Sequence, residues 1–191
     1  MMQRGFARTL QRETGWDTGR VLTGVIHLPE NRFDNAKRIA FFRRLEESLA
    51  ALPGAELAAL ANSLPLFPYF SNQAVFTDAP GAGAAGNNPT ASHVLITPNY
   101  LATLGIPLLE GRNFPADIKN DGPAYILVNE ALARRFWPGQ SALGRRLGVT
   151  QNNATVWREV IGVVGNAEPA ASISNPDTPF QVYKPVAHEA W

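Results

Sequence analysis

The 191-residue chain contains no cysteine. Disulfide staples, zinc–thiolate sites and thiol nucleophiles are thereby excluded, and cysteine usage says nothing of redox compartment. Charge is also scarce: 17% of residues are charged and the formal net charge is +1. No global field exists to hold a polyanion, so nucleic acid is not an expected partner. Histidine is limited to His27, His93 and His188, scattered without the H-x-H or H-x-x-x-H spacing of a metal chelate. Each is expected at a surface or a strand end. No apolar run approaches the roughly eighteen residues of a membrane span. The best candidate, LAALPGAELAALA (49–61), is broken by Pro53-Gly54 and carries Glu56. The opening MMQRGFARTLQRE lacks the apolar core of a signal peptide.

What is present is a globular composition, 45% hydrophobic, long enough for one medium domain or two small ones. Arg4, Arg8 and Arg12 recur every fourth residue beside Phe6 and Leu10, as on a short amphipathic helix. After the breaker TGWDTG, the run RVLTGVIHLP (20–29) reads as a strand. Asp34 is the expected N-cap of the next helix, in which Ile39, Phe42, Leu45, Leu49 and Leu52 form one apolar stripe. That helix stops at Pro53-Gly54, and AELAALANSLP reads as a second strand. Strand, helix, strand is a unit that needs another layer to cover its sheet.

The middle of the chain changes character. LPLFPYFSN (64–72) reads as an aromatic loop and TDAPGAGAAGNNPTAS (77–92) as a flexible connector. HVLITP, IPLLEGRNF, AYILV, GRRLGV, WREVIGVVGN and FQVYKP are predicted strands. NYLATLG and NEALARRFW are predicted short helices, the first closed by glycine. The element order gives an α+β fold.

No chemical motif survives its context. GAGAAG (81–86) fits G-x-G-x-x-G, but Asn88-Pro89 follows it instead of a long helix, so a pyrophosphate has no helix N-terminus to face. GQSAL (139–143) has leucine where a nucleophile elbow needs a small residue. No histidine base is tied by sequence to Ser141. Asn153-Ala154-Thr155 matches a glycosylation sequon, which matters only in a eukaryotic secretory route. The stretch NEALARRFWPGQSALGRRL (129–147) concentrates Arg134, Arg135, Arg145 and Arg146. Its first two arginines fall near a helix C-terminus, where they suit the dipole, and not at the N-terminus that binds phosphate. Glu130 stands four residues before Arg134, the favourable order for an exposed pair. The expectation is scaffold, with Phe136 and Trp137 inward and Arg134 and Arg135 outward. No catalytic, metal-binding or cofactor-binding residue is assigned, and no cofactor is expected.

Taken in order, LPGAELAAL, LITPNYLATLGIPLLEGRNF, ILVNEALARRFWPGQSALGRRL, WREVIGVVGN and VYKP resemble the periplasmic core domain of MacB-type ABC transporter permeases. The resemblance runs from about Gly5 to Pro185 and carries no catalytic set. It implies a porter-like strand-helix-strand subdomain plus an inserted, strand-rich α+β subdomain. On that basis residues 1–19 form a membrane-proximal stalk end, 20–76 and 178–191 the porter-like part, incomplete at its C-terminus, and 77–177 the insert with its linker. FQVYKP is expected to pair with RVLTGVIHLP. The implied role is periplasmic, on an inner-membrane protein, coupling ATP-driven helix motion to export or partner docking. The implied partners are a partner permease subunit, a separate ATP-binding cassette subunit or domain acting through the membrane helices, and a periplasmic adaptor protein. Phe67, Tyr69 and Phe70 of the aromatic loop are the candidate partner contacts, set against the loop folding back to cap the sheet. The alternatives are a free-standing ligand- or peptide-binding module and, behind it, a hydrolase.

Overall fold

The computed structural model describes residues 15–17, 19–28, 35–65, 71–77, 88–119, 122–151, 154–167 and 179–188. The amphipathic N-terminal segment, Asp34, the sequon at Asn153 and the glycine-rich connector at 78–87 lie outside them. The elements run α1 (Asn35–Ala50), β1 (Ser71–Thr77), β2 (Thr90–Ile96), α2 (Tyr100–Leu104), β3 (Leu108–Gly111), β4 (Tyr125–Asn129), α3 (Glu130–Phe136), β5 (Arg146–Gln151), β6 (Ala154–Val164) and β7 (Gln181–Pro185). A 3-10 turn, Val186–His188, follows β7. This is the mixed α+β, strand-rich architecture expected.

The strands form one sheet in the order β3-β6-β4-β7-β2-β1-β5, and β5 pairs again with β6. That second pairing closes β5, β6, β4, β7, β2 and β1 into a barrel, with β3 outside the ring. Closure is possible because β6 is long. Its first half pairs with β5 from Ala154 to Glu159, and its second half pairs in parallel with β4 from Glu159 to Val164. β3 continues along the edge that β5 leaves, pairing with Gly162 to Val164. A closed ring leaves no open edge on its six strands, which removes the usual route to edge-to-edge association.

Alternation along each strand sorts the core into two layers. Val75, Ala91, Val128, Val149, Val160 and Val182, one from each ring strand, share a cluster with Ile126, Leu147 and Val163. That cluster is the barrel interior, and Leu132, Trp137 and Ala142 pack into it from the α3 side. The neighbouring residues Val94, Ile96, Leu127, Ile161, Val164 and Tyr183 face outward on β2, β4, β6 and β7. Tyr100, Leu101 and Leu104 of α2, with Phe114, cover that face. Gly105, at φ 67°, ends α2 in the left-handed conformation, as the glycine after a short helix should.

Three expectations are corrected. Residues 21–28 form no strand, and FQVYKP does not pair with them. Instead β7 is central in the barrel, parallel to β2 and antiparallel to β4, because Val182 and Tyr183 are apolar on both faces and need cover on both. AELAALANSLP contributes only an isolated bridge, Ala61 to Ile96, since its alanines offer little side chain for cross-strand packing. Finally, β1 starts in the last two residues read as loop, runs through residues 73–76, which were assigned to no element, and ends on Thr77, the first residue read as connector. Its inward positions include Gln73 and Thr77 alongside Val75, so the apolar alternation that signals a strand is absent.

The stripe of α1 is also less covered than its spacing predicts. Phe42, Leu45 and Leu49 are half-buried, while Ile39 and Leu52 are exposed. Leu22, Val25, Ile26 and Leu57 are exposed as well, so the described residues 21–28 and 35–57 carry several exposed apolar side chains.

Candidate functional site

The candidate aromatic contacts Phe67, Tyr69 and Phe70 lie outside the described residues. The loop's described beginning, Leu64, packs against the outer core layer. The arginine-rich stretch takes the predicted orientation. Trp137 is buried at 3% exposure, Phe136 is half-buried against the same cluster, and Arg134 and Arg135 are exposed. Arg134 donates to Glu130 at 2.6 Å across one helical turn. Ser141 donates to Glu110 at 3.2 Å and its Oγ accepts from the Leu143 N–H at 3.2 Å. These contacts put a carboxylate and a backbone amide, not a histidine, beside the hydroxyl.

Two polar clusters inside the fold went unread in the sequence. The first hangs on Asn129, fully buried where β4 turns into α3. Its Oδ1 accepts from the N–H of Leu132 at 3.2 Å, capping the helix, and from Gln181 N–H at 3.0 Å. Its Nδ2 donates to Asn166 Oδ1 at 2.8 Å and to the Pro179 carbonyl at 2.6 Å. Gln181 then donates to the Ala167 carbonyl at 2.6 Å and accepts from Tyr183 Oη at 3.2 Å. One side chain thus ties β4, α3, the end of β6 and the start of β7 together. Asn129→Leu should destabilise the chain by about 2–4 kcal/mol, because several buried groups lose their partner at once. Chemical denaturation followed by circular dichroism measures this; a loss under about 0.5 kcal/mol, typical of surface changes, would mean the network is dispensable.

The second cluster lies at the opposite end of the barrel. Alternation places His93 beside Ala91, Lys184 beside Val182 and Arg158 beside Val160 on the inner face, and all three are buried. Burial, then the charges of Lys184 and Arg158, lowers the His93 pKa to about 3, so the imidazole is neutral at neutral pH. Arg158 Nη1 lies 3.3 Å from His188 Nδ1, and His188 Nε2 lies 2.9 Å from the Lys119 carbonyl. A guanidinium only donates and a carbonyl only accepts, so His188 fits as the neutral tautomer protonated on Nε2. His93 is therefore a buried barrel residue, contrary to the surface or strand-end expectation, while His188 sits in the turn just after β7 and His27 is exposed. Among the described residues no three His, Asp or Glu side chains group as metal ligands.

Among the described residues before β1, Val21, Ala59, Ala61 and Leu64 pack against the outer core layer, and hydrogen bonds and an ion pair add to this packing. Asp17 N–H donates to the Leu104 carbonyl at 2.8 Å, and Arg20 pairs with Glu56 at 2.9 Å on the surface. At the end of β2, Thr97 N–H donates to the Leu60 carbonyl at 3.0 Å and its Oγ1 accepts from Leu60 N–H at 3.0 Å. Asn62 Oδ1 accepts from Leu95 N–H at 2.9 Å. Burial raises the carboxyl pKa of Glu46 on α1, against an opposing effect of nearby Thr97. The short strip at 60–62 runs along the end of β2.

A family model described as the MacB-like periplasmic core domain matches residues 12–189. The chain belongs to that family, the periplasmic core domain of MacB-like ABC transporter permeases, which is not a known catalytic family. Among solved structures, the periplasmic region of MacB from Actinobacillus actinomycetemcomitans is similar at TM-score 0.51 and 16% identity, over 75% of this chain and 54% of that one. The extracellular domain of the noncanonic ABC-type transporter YknZ from Gram-positive bacteria is similar at 0.47 and 14% identity, covering 73% and 59%. A permease-protein domain from Porphyromonas gingivalis is similar at 0.45 and 20% identity, covering 73% and 53%. The chain spans little more than half the length of these structures. No curated protein matches it. No helix among the described residues is long and apolar enough to cross a membrane.

Proposed function

We propose that this chain is the extracytoplasmic coupling domain of an ABC transporter permease, on the periplasmic side of the inner membrane. In this reading the barrel is a stiff body, and the exposed apolar segment at residues 21–28 transmits the motion of membrane helices driven by ATP hydrolysis elsewhere. The division proposed with it assigns residues 1–19 to the stalk end, 20–76 and 178–191 to the porter-like part, and 77–177 to the inserted strand-rich part with its linker. Its partners are a second permease subunit, the ATP-binding cassette acting through the membrane helices, and a periplasmic adaptor. The domain carries out no catalysis of its own.

The observation that carries this reading, beside the family match, is that exposed apolar segment. Leu22 is 99% exposed and Val25 68%, and none of residues 21–28 makes a backbone hydrogen bond among the described residues. Apolar side chains and unpaired backbone together on one segment mark an interaction surface. Leu22→Asp, Val25→Asp and Ile26→Asp, combined in the parent permease, should abolish assembly with the partner permease and uncouple ATP hydrolysis from transport. The isolated chain should keep its stability to within about 0.5 kcal/mol per substitution, as exposed positions do. Unchanged co-purification and transport by the triple variant would reject the segment as the coupling surface. ATP, ester or peptide turnover by the purified chain, lost on mutating one serine or histidine, would reject the non-catalytic part.

A further inference from the structure

Of the seven strands, only β3 stands outside the barrel ring, at the end of the strand order. One of its edges pairs with β6, Leu108 facing Val164 and Gly111 facing Gly162, with a register shift between Leu108 and Glu110. On the other edge, no backbone hydrogen bond reaches Leu108, Leu109, Glu110 or Gly111 from another element among the described residues. All four residues are exposed.

That free edge has a fixed order of donor and acceptor. Gly165 N–H donates to the Pro107 carbonyl at 2.8 Å, and Arg112 N–H donates to the Ile161 carbonyl at 2.9 Å, so the Pro107 C=O and the Arg112 N–H point at β6. Across a trans peptide the C=O of one residue and the N–H of the next point opposite ways. Leu108 N–H and the Gly111 carbonyl therefore point away from the sheet, a donor at one end and an acceptor at the other. A second β3, turned about a two-fold axis between Leu109 and Glu110, brings each copy's donor onto the other's acceptor. The edge is complementary to itself.

The side chains fit the same register. Leu108 is 42% exposed, Leu109 47% and Leu143 37%. Gly111, at φ 75°, has no side chain, and a Cβ there would stand 2.6 Å from Leu143 Cδ2, so Leu143 roofs that end of the strand. Residues opposite each other in an antiparallel pair share a face. Leu108 of each copy then lies over the other's Gly111, against the other's Leu143, and Leu109 falls at the axis. Glu110 falls there too, and like charges across a strand pair oppose it. Charge at an edge is a common restraint on edge pairing.

We propose that β3 is a docking edge for a second copy of this chain, joined antiparallel about this two-fold axis and kept weak by Glu110. A strand of four residues buries far less than the roughly 1,200 Å² at which stable interfaces begin. The contact therefore forms at millimolar concentration, the range that tethering on one assembly supplies. The inference rests on the geometry of β3 and is independent of the coupling role proposed for residues 21–28.

The test is an NMR dilution series of the ¹⁵N-labelled 191-residue chain from micromolar to millimolar concentration, with sedimentation equilibrium for the mass. Amides of residues 107–112 and Leu143 should shift with concentration towards a dimer. Glu110→Gln should tighten that dimer by up to about fivefold, and Leu109→Lys should weaken it by a similar factor. Both changes are at exposed positions and should leave the unfolding midpoint of the dilute chain essentially unchanged. Glu110→Gln keeps the size and shape of the side chain, so it decides the matter even if Leu109→Lys disturbs the strand. No concentration dependence at β3 in wild type or Glu110→Gln, a dimer that Glu110→Gln does not tighten, or shifts centred on residues 21–28 would overturn the proposal. So would protection of β3 amides found only when a different protein is bound, which would assign the edge to that protein's strand.

Discussion

Trp137→Ala is expected to destabilise the chain by about 3–5 kcal/mol, the usual cost of truncating a core aromatic. The indole is 3% exposed and packs into the barrel interior with Leu132 and Ala142, its ring centroid 5.7 Å from that of Phe136. Its removal opens a void at the end of the barrel that α3 closes. In a chain of this size such a loss lowers Tm by roughly 6–20 °C. Arg134→Ala and Arg135→Ala should each cost within about 0.5 kcal/mol, because the Glu130 pair is an exposed one. Trp137→Phe should cost well under half the alanine value, since Nε1 has no hydrogen-bond partner to lose. Urea denaturation of the four variants makes the comparison. Comparable losses from tryptophan and arginine changes would show that the arginines hold the fold and are not mere solvated cover.

The second large effect is on acid stability. His93 has a folded pKa of about 3 against about 6.5 in an unfolded chain. Between those values the unfolded chain binds a proton that the folded chain refuses, so stability falls as pH falls from about 6.5 to 3. The full span corresponds to roughly 4–5 kcal/mol at 1.36 kcal/mol per unit. Lys184 on β7 and Arg158 on β6 oppose the proton, after the larger effect of burial. Glu46 acts with the opposite sign, because its raised pKa makes the folded chain take up its proton more readily as pH falls. Comparing wild type with His93→Gln at each pH removes that contribution and those of the other carboxylates. The difference in stability between pH 7 and pH 4 should shrink by about 3 kcal/mol in the variant. Parallel pH profiles would show that His93 is not kept neutral by the barrel.

The most regular features of the fold were the most legible in the sequence. Tyr125–Asn129 running into Glu130–Phe136 was readable because β-branched residues give way to a 3.6-residue spacing at a capping residue. The inward Trp137 and the Glu130–Arg134 pair followed from the same spacing. Barrel closure was not readable, because it depends on one strand, Ala154–Val164, serving different partners along its length. Nothing in WREVIGVV announces that division. β1 was hidden by its polar inward residues, and residues 21–28 looked like a strand because β-rich composition does not reveal whether an edge is available to pair with. The interior positions of His93, Arg158 and Lys184 were illegible for a related reason: each breaks an apolar alternation whose register only the barrel defines. The aromatic loop drew attention in the sequence through Phe67, Tyr69 and Phe70, which lie outside the described residues.

The proposed coupling surface is the exposed apolar segment at residues 21–28, with the barrel as its support. Hydrogen exchange tests it most directly, on the 191-residue chain alone and within the assembled permease with its ATP-binding cassette. Amides of β2, β4, β6 and β7 should be protected in both. Amides of residues 21–28 should exchange rapidly in the isolated chain, where they have no backbone partner among the described residues, and become protected on assembly. Equal exchange of 21–28 in the two states, with new protection elsewhere on the barrel, would contradict the account.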